Sequence, residues 1–199
     1  IKETMGILML AAASYFIGIG LTGTVLIFQG SSLYWWPTML IVAFAGAWII
    51  FKTLQIKPSV IKKTIFIIIG LIIIVSSLVV LRSMTDEGPL TWKPYSPELL
   101  AKAKADNKII VLDFTAEWCL NCKALEKGVL NTKAVSTALT SQKIELIKVD
   151  ITNDDVEKIK LLNEEGSLTI PYLVIYKNGV KVFQRDFYNS QDILNALKN

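Results

Sequence analysis

The chain has 199 residues, of which 52% are hydrophobic and only 19% charged, and its mean hydropathy of +0.47 excludes a wholly water-soluble protein. The net charge of +4 does not amount to a nucleic-acid surface. Six of the 21 basic and one of the 17 acidic residues lie within 1–82, leaving 15 and 16 beyond, so the excess borders apolar segments instead of forming a basic face.

No charged residue occurs from Thr4 to Phe51, nor from Thr64 to Leu81. A hydrocarbon core about 30 Å thick takes roughly 20 apolar residues of helix. The first run is too long for one helix. It is broken by Gln29-Gly30-Ser31-Ser32 followed by Tyr34-Trp35-Trp36-Pro37, a turn with an interfacial aromatic belt. Three transmembrane helices are therefore expected, at about 5–28, 33–51 and 64–81, within a membrane segment 1–82. The connection from Lys52 to Lys63 carries four lysines, and the connection from Gln29 to Pro37 carries no charge. The positive-inside rule puts the lysine loop in the cytoplasm and everything after Leu81 outside. Small residues of the first span (Ala11, Ala12, Ala13, Ser14, Gly18, Thr22) either admit a neighbouring helix or simply face lipid. No Asp, Glu, Lys, Arg, His or Cys lies inside a span, so the spans offer no ion relay, metal site or thiol pair of their own. The chain opens on Ile1, and no basic segment with a small-residue cleavage site precedes the apolar run, so a processed form or piece of something longer is expected.

Residues 83–95, with Asp86, Glu87, Gly88, Pro89 and Pro94, read as a polar linker to a domain over 96–199. Ser96-Pro97-Glu98 supplies an N-cap, a first-turn proline and an acid for a helix to about Asp106. Ile109–Thr115 is a continuous apolar run suited to a buried parallel strand. A helix from Cys119, a helical piece at Lys133–Leu139, a strand at Ile144–Asp150 and a helix at Asp154–Asn163 follow. Strands at Tyr172–Tyr176 and Lys181–Phe187 flank Asn178-Gly179, the strongest short hairpin signal, and Ser190 caps a terminal helix to Lys198. The order α-β-α-β-α-β-β-α predicts an α/β fold, a central mixed sheet flanked by helices.

Two cysteines are the whole supply, spaced as Trp118-Cys119-Leu120-Asn121-Cys122-Lys123. With no histidine and no third cysteine, one chain cannot close a zinc site from thiolate and imidazole. A staple disulfide ordinarily closes a longer loop, because its gain rises with loop length. Two inert buried thiols are the other bland reading, but strand, short turn, C-x-x-C and helix in that order is the redox arrangement. Cys119 falls at a helix N-terminus, where unpaired N–H groups and the macrodipole favour the thiolate, the nucleophilic form. Cys122, about one turn on, is positioned to resolve a mixed disulfide and to be the more buried. Lys123 either supports the thiolate or faces water.

Val111-Leu112-Asp113-Phe114-Thr115-Ala116-Glu117-Trp118-Cys119 resembles the thioredoxin signature, and Thr169-Ile170-Pro171 resembles the cis-proline loop that faces it. With the apolar helices upstream, the chain resembles the C-terminal part of the DsbD family of membrane thiol:disulfide interchange proteins. The resemblance is motif-specific over 96–199 and rests on span number and position over 1–82. It implies a thioredoxin-like domain with a redox-active Cys119–Cys122 pair. It implies that Asp113, six residues before Cys119, is the buried acid that accepts or relays the resolving thiol's proton; an acid in an apolar strand is otherwise costly. Glu126, four residues after Cys122 and seven after Cys119, matches a second acid near the thiols, or is an ordinary solvated helix residue. Nearby carboxylates oppose thiolate formation and would moderate the reactivity. Pro171 would be cis and leave the Ile170 backbone to pair with a partner strand, or else be a plain strand-start proline. Trp118 would flank the sulfurs, although burial alone could explain it. One departure is that Asp186-Phe187-Tyr188 stands where thioredoxins usually have a glycine near the substrate groove.

Strong oxidants of the superfamily hold a histidine between the cysteines; Leu120-Asn121 supplies no positive charge, which points to a reducing domain. The expected activity is that of a membrane-tethered protein-disulfide reductase, in the inner membrane with its C-terminal domain outside. No bound cofactor or metal is expected. By the resemblance, electrons come ultimately from NADPH through cytoplasmic thioredoxin and a membrane-embedded cysteine pair not contained in this chain, and go to extracytoplasmic disulfide proteins. The alternatives are an anchored thioredoxin dedicated to one client, as in apocytochrome c maturation, and a thioredoxin fold that only docks a partner.

Overall fold

The computed structural model describes residues 2–24, 32–56, 59–86, 88–141 and 143–198. The chain divides into two compact units, Ile1–Glu87 and Gly88–Asn199.

The first unit is three helices: α1 (Lys2–Thr24), α2 (Trp35–Ile56), entered through a 3₁₀ turn at Ser32–Tyr34, and α3 (Val60–Thr85). Each is long and apolar enough to cross a membrane. Residues 25–28 of the first expected span, and the turn residues Gln29, Gly30 and Ser31, lie outside the described residues. The second helix starts at Trp35 and runs past the expected 51, and the third outruns 64–81 at both ends, because helical hydrogen bonding continues through the lysines and Arg82 that bound the uncharged runs. At the start of α3 the Lys63 N–H donates to the Ser59 carbonyl at 2.9 Å. Lysines at helix ends are tolerated because their stems lie along apolar surface while the ammonium stays in water.

The two readings of the small residues in α1 divide by position. Ala11 is buried and Gly18 lies against Tyr34, whereas Ala12 and Ala13 are exposed. Tyr15, Tyr34 and Trp35 form an aromatic cluster with centroids 5.4–5.9 Å apart. The buried Thr38 hydroxyl is satisfied by the Tyr34 carbonyl of the 3₁₀ turn at 3.0 Å and the Ser14 hydroxyl of α1 at 3.4 Å. Backbone meets backbone between α2 and α3. A Cβ at Gly46 would lie 2.7 Å from the Gly70 carbonyl oxygen, and one at Gly70 2.8 Å from that of Gly46. No side chain fits there.

The second unit carries a five-stranded sheet of order β1-β3-β2-β4-β5, from β1 (Lys93–Pro94), β2 (Ile109–Thr115), β3 (Ile144–Asp150), β4 (Tyr172–Lys177) and β5 (Val180–Arg185). Strands β1, β3 and β2 are parallel, and β4 and β5 antiparallel. Helices α4 (Pro97–Ala105), α5 (Leu120–Leu125), α6 (Lys133–Leu139), α7 (Val156–Glu165) and α8 (Ser190–Lys198) cover it, and α5 runs directly into a π-helical turn at Glu126–Leu130. Because β2 is buried on both faces it reads as an unbroken apolar run. Ile110, Leu112 and Phe114 enter one core cluster with Ile147, Val149 and both cysteines, while Val111 enters the other with Leu130, Val135, Leu173 and Ile193. Asn178 and Gly179 both have positive φ, as a tight hairpin turn requires.

Three sequence expectations need correction. Residues 83–95 are not all linker: α3 runs to Thr85, Leu90 is buried, and Lys93–Pro94 forms β1 against Ile147 and Lys148. A two-residue edge strand ending in proline carries no periodic signal. Ser190 is not the cap of the last helix. The Asn189 side chain accepts the Gln191 and Asp192 N–H groups at 2.8 and 3.1 Å, and Asp192 returns a bond to the Asn189 N–H at 3.0 Å. The strand after the hairpin ends at Arg185, short of Phe187.

Gly46→Leu and Gly70→Leu are each expected to weaken the α2–α3 pair by about 1–3 kcal/mol, the usual cost of overpacking. Gly6→Leu, whose Cβ meets nothing within 4 Å, serves as the control. Thermal unfolding of the detergent-solubilised chain, followed by far-UV circular dichroism, would show Gly46→Leu no worse than Gly6→Leu if this packing were unimportant.

Candidate active site

The chain leaves the sheet at Ala116 and turns into α5 within four residues. Cys119 is the N-cap. Its backbone N–H donates to the Ala116 carbonyl at 3.0 Å, and its Sγ accepts the Cys122 N–H at 3.2 Å. Cys119 and Cys122 are bridged, with Cα atoms 5.3 Å apart. Cys119 is 7% exposed, Cys122 still less. The sulfur nearer the surface is therefore also the one held by a helix N–H. Trp118, by contrast, is 48% exposed, so burial does not explain it.

The Ile170–Pro171 peptide is cis. Pro171 is buried, and half-buried Ile170 packs on the core cluster that contains both cysteines, next to Tyr172. Phe114 pairs with Tyr172 across β2 and β4, which brings the start of β4 beside the end of β2. The cysteines and the Ile170-Pro171 loop are thus brought together by strand register.

The acids fall in a second group. Asp113 is 4% exposed and lies opposite Lys148 in the β2–β3 register. Glu126, first residue of the π turn, is buried, and its Oε1 receives the Lys148 ammonium at 3.0 Å. The solvated-surface reading of Glu126 is therefore wrong. Burial pushes the Asp113 carboxyl up to about 7; Lys148 opposes that shift, Glu126 adds to it, and Lys123 opposes it. Burial disfavours the Lys148 ammonium, but Glu126 and Asp113 outweigh it and hold the amine above its ordinary range. Tyr188 is buried too, its hydroxyl pushed upward first by burial and then by Asp113 and Glu126.

Lys123 does not simply face water. Its ammonium pairs with Glu117 at 2.8 Å, and both side chains are largely covered. The Glu117 N–H donates to the Thr152 hydroxyl at 2.8 Å, which fixes the turn before Trp118. The residue that sequence reasoning missed is Lys148. A lysine within Ile144–Asp150 looks like an ordinary solvent-facing strand position. The available signal was that Asp113 and Lys148 are the fifth residues of two parallel strands that pair from their first residues. No group of three or more His, Cys, Asp or Glu side chains able to hold a metal ion occurs among the described residues.

Residues 91–178 match the family model described as Thioredoxin-like. The thiol:disulfide interchange protein DsbD of Campylobacter jejuni (strain RM1221) is 30% identical over 102 residues, which are 51% of this chain and 18% of that protein. DsbD of Vibrio cholerae is 40% identical over 76 residues, 37% of this chain and 12% of that protein. The oxidised DsbD C-terminal domain of Neisseria meningitidis is 23% identical, covering 54% of this chain and 97% of that one, with a TM-score of 0.45. The chain thus spans less than a fifth of the length of these curated relatives.

Between about pH 4 and 7 the folded chain holds a proton on Asp113 that the unfolded chain has released, so stability falls as pH rises through that window. Asp113→Asn should therefore stabilise the second unit above pH 7, with the gain vanishing near pH 4, in guanidinium unfolding of the detergent-solubilised chain. Lys148→Met removes the neighbouring cation and should move the upper edge of that window upward, the lower edge staying near pH 4. A gain independent of pH would contradict the buried, proton-holding carboxyl.

The second unit is a thioredoxin-like domain, and the chain resembles the C-terminal part of the DsbD thiol:disulfide interchange proteins.

Proposed function

We propose that this chain is a membrane-tethered protein-disulfide reductase, working by thiol–disulfide exchange at Cys119 and Cys122. The observation that carries the reading is the bridged pair at the start of α5, with the Cys119 sulfur receiving a helix N–H. In the reduced state that N–H and the helix end favour the Cys119 thiolate. The thiolate attacks one sulfur of a partner disulfide; a new S–S bond forms as the partner's bond breaks, and the other partner sulfur leaves and takes a proton. Cys122 loses its proton and attacks Cys119 Sγ, closing the intramolecular bridge and releasing the second partner sulfur. The partner gains two electrons and two protons, and the chain is left oxidised. Asp113, with its carboxyl near 7, is matched to accept the Cys122 proton at neutral pH. Glu126 and Lys148 set the charge around it. Trp118, Ile170 and Pro171 form the contact surface for the partner chain.

The three apolar helices and the likeness to DsbD support an inner-membrane location with the domain on the outer side. In this reading the pair is recharged by a dithiol, a membrane-embedded cysteine pair fed from NADPH through cytoplasmic thioredoxin, whose oxidation returns Cys119 and Cys122 to thiols.

In detergent or nanodiscs, Cys122→Ala should accumulate a mixed disulfide with partner cystines and Cys119→Ser should accumulate none. The pair should equilibrate near thioredoxin's potential, roughly −270 mV. Asp113→Asn should slow bridge closure about a hundredfold at pH 7, the lower end of the usual scale of general-base help. A potential near −120 mV would make the chain an oxidant, and partner capture that survives Cys119→Ser would make it a docking module.

A further inference from the structure

Among the described residues of the second unit, the most exposed large apolar side chains include two on the segments flanking β4 and β5 at the end of the sheet that carries the cysteines. Leu168, two residues before Ile170, is 83% exposed, and Phe187 is 73% exposed. Register brings their segments to that end. Phe114 pairs with Tyr172 at the start of β4, and Leu173 pairs with Arg185 at the finish of β5. The turn to Cys119, the loop holding Leu168 and the turn holding Phe187 therefore leave the sheet side by side, β2 and β5 being two strand spacings, about 10 Å, apart. Trp118 and Leu120 on the first of these segments are exposed as well. Phe187 is outward while its neighbour Tyr188 is buried beside the acids, so the turn is anchored from beneath and presents its ring to solvent.

From this arrangement we infer that Leu168 and Phe187 are specificity determinants of the exchange reaction, favouring partners that carry an aliphatic or aromatic side chain next to the reacting cystine. The inference rests on the exchange reading above and deepens it. Cys119 is nearly flush with the surface, so a partner sulfur bonds to it only when the partner's flanking residues come into contact with the surrounding side chains. Those side chains are apolar, and covering them favours an apolar partner segment over a polar one. The charges nearby do not suit a phospholipid surface as occupant. Lys123 is already paired with Glu117, and Arg185 lies over the Phe183 ring and is followed by Asp186, whereas interfacial membrane binding draws on clustered free cations.

The test uses the reduced full-length chain in nanodiscs and two disulfide-bridged cystine peptides as probes, one with Leu and Phe beside its cysteines and one with Ser at both places. The wild type should oxidise with the apolar peptide about tenfold faster, the scale of one partly buried side chain. Leu168→Ser with Phe187→Ser should bring the ratio close to one. Val180→Ser, an exposed valine at the opposite end of the hairpin, should leave the ratio as it is. Equal wild-type rates on the two peptides, or a preference that survives the double substitution, would overturn the inference while leaving the exchange reading intact. Failure to exchange with either peptide would instead remove the exchange reading itself. Quenching of Trp118 by brominated lipid, read as the difference between wild type and Trp118→Phe, would assign the face to the bilayer and also overturn the inference.

Discussion

Strand β2 is hydrogen-bonded along both edges, to β3 from Ile109 to Thr115 and to β4 from Ile110 to Phe114. A strand paired on both sides and buried on both faces cannot slip by one residue without turning its whole apolar set onto the wrong face. That constraint fixes where Asp113 sits, because its neighbour in register is Lys148. It also fixes where the chain leaves the sheet, and hence where Cys119 caps the next helix. The sulfur, the carboxyl and the Ile170-Pro171 loop are all referred to one strand.

The charge arrangement under the thiol helix follows the ordinary energetics of buried ions. An isolated carboxylate in the core is expensive, and a carboxylate pair more so. Here two carboxyls share one ammonium, with Glu126 in direct contact with Lys148 and Asp113 opposite it in the sheet. Glu126 takes the direct contact with Lys148, and burial pushes the Asp113 carboxyl up to about 7. The π turn matters to this division, since it begins at Glu126 while that side chain reaches β3. Such turns occur disproportionately at functional sites. A second pair, Lys123 with Glu117, closes the other flank.

The two units solve burial differently. In the helical unit most large apolar side chains remain exposed to whatever surrounds it, and close approach is achieved by removing side chains altogether, as at Gly46 and Gly70. In the second unit apolar side chains fill both faces of the sheet. Large apolar groups left outside there include Trp118 and Leu120, on either side of Cys119.

Local signals in the sequence determined a good deal. Uncharged runs of membrane length gave three apolar helices, Ser96 and Pro97 marked the start of α4, Asn178-Gly179 marked the hairpin, and the C-x-x-C spacing after an apolar strand marked the thiol pair. Each of these depends on residues close together in the chain, where helix periodicity, capping and turn geometry act. What tertiary structure decided was which distant residues meet. Lys148 looks like any strand lysine until register sets it beside Asp113, the two readings of Glu126 stay open until its side chain is seen buried against Lys148, and Lys93–Pro94 is a strand only because β3 offers it an edge. Tyr188 turned inward and Phe187 outward on the same turn, a choice made by the core beneath them. Local physics names the elements; burial and register, which are properties of the assembled sheet, decide the environment in which each charge and each sulfur must work.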